Sequence, residues 1–120
     1  MLIFNEIDLS ENNTSDIITL TDHEGSRPNG AFIFFQWYNV TGATKDGKFT
    51  IYAYAENDTD ALKPFLAGFD SNTVTVSSAD NTSNCTMVTI PFGIQKLKIV
   101  YEKNSITGGV GSVNILKDFR

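Results

Sequence analysis

Cysteine is nearly absent from this 120-residue chain. Cys85 stands alone, which excludes an intrachain disulfide and any structural zinc site built on thiolates. Histidine is as scarce, with His23 the single imidazole, flanked by Asp22 and Glu24. A histidine base needs an orienting acid and a nucleophile converging on it, and a metal needs further ligands. No spacing in the chain marks either, so His23 reads as part of a solvated turn. Positive charge is also sparse: nine Lys and Arg stand against fourteen Asp and Glu, for a net charge of −5. That leaves no basic surface to neutralise a phosphate backbone or an anionic leaflet, so neither nucleic acid nor a membrane is expected as partner. No apolar run approaches the length of a membrane span, and Met1-Leu-Ile-Phe-Asn-Glu lacks the positive leader of a secretory signal. The expectation is synthesis and folding in a cytosol. Six N-x-[ST] triplets, beginning at Asn12, Asn13, Asn39, Asn57, Asn81 and Asn84, then read as turn composition rather than glycan acceptors.

What is present favours strands. Asn, Thr and Ser supply 33 residues, and Ile, Val, Phe and Tyr another 31, a mixture suited to pleated strands joined by polar turns and unsuited to a helical bundle. With 41% hydrophobic residues over this length, one domain spanning 1–120 is expected. Period-two alternation between turn clusters predicts eight strands, over 2–9, 16–22, 31–41, 48–56, 73–78, 85–90, 95–103 and 110–117. The first two suit edge positions, separated by Ser10-Glu-Asn-Asn-Thr-Ser15, whose side chains compete for backbone hydrogen bonds. The third carries large apolar groups on both parities and should be central in its sheet. Asp46-Gly47 before the fourth predicts a tight hairpin. Residues 57–72, with Pro64 and Gly68, read as a long covering loop. Short alternating strands must pair two sheets to bury one face each. The fold class is therefore all-β: a single antiparallel β-sandwich of about eight strands, jelly-roll-like. In it Leu97, Ile99 and Tyr101 should point inward, and Lys96, Lys98 and Glu102 should face water.

No cluster carries catalytic, metal or cofactor chemistry. Asp58 and Asp60 open like a calcium loop, but no Gly follows at the sixth position and no Glu closes twelve residues. Gly108-Gly109-Val-Gly111 lacks the Lys and Ser/Thr of a phosphate-binding loop and reads as a turn or bulge. Cys85 has no basic neighbour to make it a thiolate and reads as a buried structural residue. The chain is thus expected to be no enzyme, with no cofactor and no metal.

One stretch carries a resemblance. Residues 96–116, KLKIVYEKNSITGGVGSVNIL, are similar to a C-terminal pattern of small β-sandwich structural proteins of tailed bacteriophages: a basic-apolar strand ending in Tyr, a turn reading Asn-Ser-Ile/Val-Thr-x-Gly, and a final apolar strand. The matching positions are Lys98, Val100, Tyr101, Asn104, Ser105, Ile106, Thr107 and Gly109. Trp37-Tyr-Asn-Val-Thr-Gly42 followed by Lys45-Asp-Gly-Lys-Phe-Thr-Ile51 resembles a hairpin of the same proteins, and together the stretches cover about a third of the chain. The chain departs from the pattern in carrying Phe65 and Phe69 where such proteins often have a second Trp. The resemblance implies a virion component made in the host cytoplasm: a capsid decoration, head-accessory or tail-associated protein. Its partners would be major capsid or tail subunits, and it would be present as a homo-oligomer or in many copies. A carbohydrate-binding module is the alternative, and would need a row of exposed Trp or Tyr.

The third strand bears on where a partner would dock. Phe32, Phe34, Tyr38 and Val40 share one parity and Ile33, Phe35 and Trp37 the other, and only one face can line the core. The other is either covered by 57–72, through Leu62, Phe65, Leu66 and Phe69, or forms a subunit contact, for which Ile33, Phe35, Trp37, Phe65 and Phe69 are the candidates.

Overall fold

The computed structural model describes residues 2–20, 30–42, 47–54, 73–76, 84–90 and 96–118. Their regular elements are all strands: β1 (Leu2–Asp8), β2 (Asn13–Thr14), β3 (Ile18–Thr19), β4 (Gly30–Gly42), β5 (Gly47–Tyr54), β6 (Thr73–Val76), β7 (Asn84–Ile90), β8 (Lys96–Glu102) and β9 (Ile106–Asp118). Sheet A has the order β1-β9-β4-β7 and sheet B the order β2-β8-β5-β6, with β3 also on β8; every pairing is antiparallel. The two-residue pieces β2 and β3 lie on the same neighbour and act as one interrupted strand. With them so counted, the described residues form eight strands, and successive strands lie in different sheets at every step except the one from β5 to β6. That is the jelly-roll order.

Side-chain alternation fixes which surfaces meet. Along β8, Leu97, Ile99 and Tyr101 are buried; Lys96 and Lys98 are half-buried on the opposite face, and Glu102 is exposed, as the pleat requires. Phe49 of β5 is the junction between the sheets. Its ring lies 5.1 Å from Phe35 and 6.4 Å from Phe4 of sheet A, and 4.8 Å from Tyr101 of its own sheet, all in tilted geometries favourable to aromatic quadrupoles.

The third predicted strand is interior, as expected, with β9 on one side and β7 on the other. Its alternation holds only as far as Tyr38. Asn39 adopts φ 56° and the pairing with β9 shifts between Tyr38 and Thr41. This bulge advances the pleat by one residue and turns Val40, 1% exposed, into the core beside Trp37. Opposite it Gly109, at φ 132°, lets the backbones approach: a Cβ there would sit 3.0 Å from the Val40 Cα. The bulge reading of Gly108–Gly111 is thus realised.

Three expectations need correction. The tight hairpin expected at Asp46-Gly47 does not join β4 to β5, because the two strands belong to different sheets. Positive φ falls on Gly42, at 112°, and not on Gly47, which is small for a steric reason: a Cβ would lie 2.9 Å from the Tyr101 hydroxyl. Of the strand expected over 16–22, the described residues 16–20 form only Ile18–Thr19, with Asn13–Thr14 pairing before it. The last strand starts at Ile106 rather than 110, since the Asn104 turn is closed by the Ile106 amide donating to the Lys103 carbonyl at 2.9 Å. His23, Asp58, Asp60 and the 57–72 loop lie outside the described residues.

Candidate docking surface

Ile33, Phe35 and Trp37 are 0%, 0% and 2% exposed and line the core. The expectation that they form a subunit contact is therefore corrected: the alternation of β4 aims them at sheet B. Phe65 and Phe69 lie outside the described residues. The face of β4 turned outward is the other parity, where Phe32, Phe34 and Tyr38 are half-buried.

Register assembles a surface around those rings. Phe34 lies between Asn114 of β9 and Met87 of β7, and Phe32 between Leu116 of β9 and Thr89 of β7. Met87 is 49% exposed and Leu116 is 58% exposed. At the edge of the same sheet Leu2, paired with Asn114, is 57% exposed. The outer face of sheet A thus carries half-buried rings flanked by exposed aliphatic groups, with Asn114, Thr89 and Gln36 exposed among them. The outer face of sheet B differs. There Lys48 and Thr75 are exposed, and the Lys98 ammonium stands 5.6 Å over the Tyr52 ring. Met87 and Leu116 were legible as outward apolar positions, because alternation from Val88 and Ile115 sends them away from the core. What hid them was the absence of a register joining β7 and β9 to β4.

A concavity of about 310 Å³ opens where the edges of the two sheets part, between Leu2 and Ile3 of β1 and the segment from Ser15 to Thr19. Its buried polar group is already committed. The Ser15 hydroxyl accepts from the Ile99 amide and donates to the Asp16 carbonyl, both at 2.8 Å. Ile17 stands 50% exposed on the same segment. The cleft is a seam in the sandwich with little polarity left to orient a small ligand.

Reactive groups do not converge among the described residues. No three His, Cys, Asp or Glu side chains there could hold a metal ion, and among the same residues no helix is long and apolar enough to cross a membrane. The backbone of Cys85 in β7 pairs with Gln36 of β4; its side chain is outside what is described. Asp8 is exposed, and its carboxyl is held below the ordinary value of 3.8 by the Ser10 hydroxyl first and the Ser10 amide second, at 2.7 and 2.9 Å. This is a turn, in the place expected for one. The chain matches no protein-family model, no curated protein and no solved structure.

Proposed function

We propose that this chain is a non-enzymatic structural protein of a tailed-bacteriophage virion: a capsid decoration, head-accessory or tail-associated component that docks through the outer face of sheet A. The observation that carries the reading is the inequality of the two outer faces. Beside Phe32 and Phe34 the outer face of sheet A exposes Met87 and Leu116, while that of sheet B, with Tyr52 and Val100 half-buried, exposes no large hydrophobic residue among those described on β5, β6 and β8. Apolar side chains gathered on one sheet face mark association sites. The jelly-roll order supports the reading at the level of fold, as an architecture that viral capsid domains share with lectins and other proteins. The sequence resemblance over residues 96–116 supplies the phage context. A sugar-binding module gains no support, since Trp37 is buried and a lysine covers the Tyr52 ring.

Immunogold electron microscopy of particles made by cells expressing the gene, with antibody against the purified chain, tests the proposal. Label at regular positions on capsids or tails is expected, and particles free of label would overturn it. The docking face is tested with Leu116→Asp. At a 58% exposed position the charge should change folding stability by no more than about 0.5 kcal/mol, while incorporation into particles should fall at least tenfold.

A further inference from the structure

The two ends of sheet A are built differently. At one end β1 meets β9 with two register shifts, and Glu6 sits at φ 51° with its amide donating to the Ser112 hydroxyl instead of continuing the ladder. This strand also carries Glu6 and Asp8. Bulges and charges of this kind keep an edge strand from pairing with another chain. At the other end β7 pairs with β4 in unbroken register from Trp37↔Asn84 to Ala31↔Ile90, and among the described residues it has no second neighbour. Its sequence, Asn84-Cys-Thr-Met-Val-Thr-Ile90, contains no charge, no proline and no glycine. None of the devices that protect β1 is present.

We propose that β7 pairs antiparallel with β7 of a second copy of this chain, about a twofold axis through Met87, joining two A sheets into one continuous eight-stranded sheet. The occupant is chosen by charge and by symmetry. In a chain of net charge −5, pairing β1 with its own copy would bring acidic groups together, whereas β7 meets itself with none. An isologous contact also closes on itself, giving a dimer and not a fibre. In this register Asn84 faces Ile90, Thr86 faces Val88 and Met87 faces Met87. Because Met87 lies beside Phe34 on the outer face, the axis produces a row Phe34–Met87–Met87–Phe34 across the joint. That row covers the 49% exposed Met87 side chain with its twin. The contact follows from the edge geometry and does not depend on the virion reading.

Sedimentation velocity on the full chain tests the pairing, with a concentration-dependent dimer expected. Met87→Lys would place two like charges directly opposite one another and should return the protein to monomer with its far-UV circular dichroism unchanged. Register is tested in a Cys85→Ser background under mild oxidation. Met87→Cys should cross-link two chains, since directly opposed Cα atoms lie about 4.5–5.5 Å apart, within disulfide reach. Thr89→Cys should not, since its two copies are offset by four residues, or about 14 Å along the strand. A wild-type chain that stays monomeric at millimolar concentration overturns the proposal. So does a dimer that survives Met87→Lys, or one that cross-links through position 89 and not 87.

Discussion

Single polar atoms decide several local features. The Tyr101 hydroxyl, buried with its ring, donates to the Leu9 carbonyl at 2.8 Å and ties the end of the first strand's turn to sheet B. Tyr101→Phe removes only that oxygen and should cost about 1–2 kcal/mol in urea denaturation, through loss of a buried hydrogen bond. A change under a few tenths would mean that water replaces the hydroxyl. Asp8 makes a smaller, exposed contribution whose sign is fixed. Its native pKa lies below 3.8, so its stabilising effect is present above that value and is lost as pH falls through the lowered native pKa. Ser10→Ala deletes the larger cause and should move the Asp8 carboxyl upward in an NMR titration, with the Ser10 amide still holding part of the shift. Such pairings were partly legible, because Ser10 and Asn12 announce side-chain-to-backbone bonds. The bond from Tyr101 to Leu9 joins residues 92 apart in the sequence and has no local signature.

At the scale of elements, interruptions carry as much information as strands. Between β2 and β3 the chain leaves sheet B for three residues, and Ser15 bridges the gap. Its amide donates to the Ile99 carbonyl at 2.8 Å, and its hydroxyl accepts from the Ile99 amide at the same distance. A side chain thus completes a ladder rung of which the backbone makes only half. Ser15→Ala should leave the Ile99 amide buried without an acceptor, at about 1–3 kcal/mol. Hydrogen exchange checks this directly: the Ile99 amide should lose protection before Leu97 and Tyr101, and uniform protection along β8 would show that the rung is dispensable. Strand positions were readable because alternation and turn residues are local signals, and seven of the eight predicted strands reappear with ends moved by a few residues. Pairing was not readable. Asp46-Gly47 satisfies the chemistry of a hairpin, yet a sandwich corner asks for similar residues. Only long-range partners, β7 and β9 for β4 and β6 and β8 for β5, distinguish the two. The Asn39 bulge was hidden for the same reason, and with it the inward turn of Val40.

At the scale of the whole molecule, the question is whether two sheets behave as one cooperative body. The faces of β4 are legible in the sequence as two apolar surfaces, but choosing the inner one requires the position of sheet B, which is why the sequence leaves Ile33, Phe35 and Trp37 as candidates for a contact. Their burial makes the core continuous, and Phe49 is where that continuity concentrates, touching rings from β1, β4 and β8. Phe49→Ala removes the ring that connects them and should cost about 3–5 kcal/mol, a large-to-small change in a packed interior. The single Trp makes the consequence measurable sheet by sheet. Trp37 sits in sheet A, buried, its indole Nε1–H without a hydrogen-bond partner, so its fluorescence reports loss of packing there. Far-UV circular dichroism reports strands of both sheets. If the sandwich unfolds as a unit, the two signals should share one denaturation midpoint in the wild type and move together to a lower one in Phe49→Ala. Separation of the signals in the variant alone would locate the cooperativity in Phe49. Separation already in the wild type would mean that sheet A is stable without its partner, and that the aromatic junction does not bind the sheets into one domain.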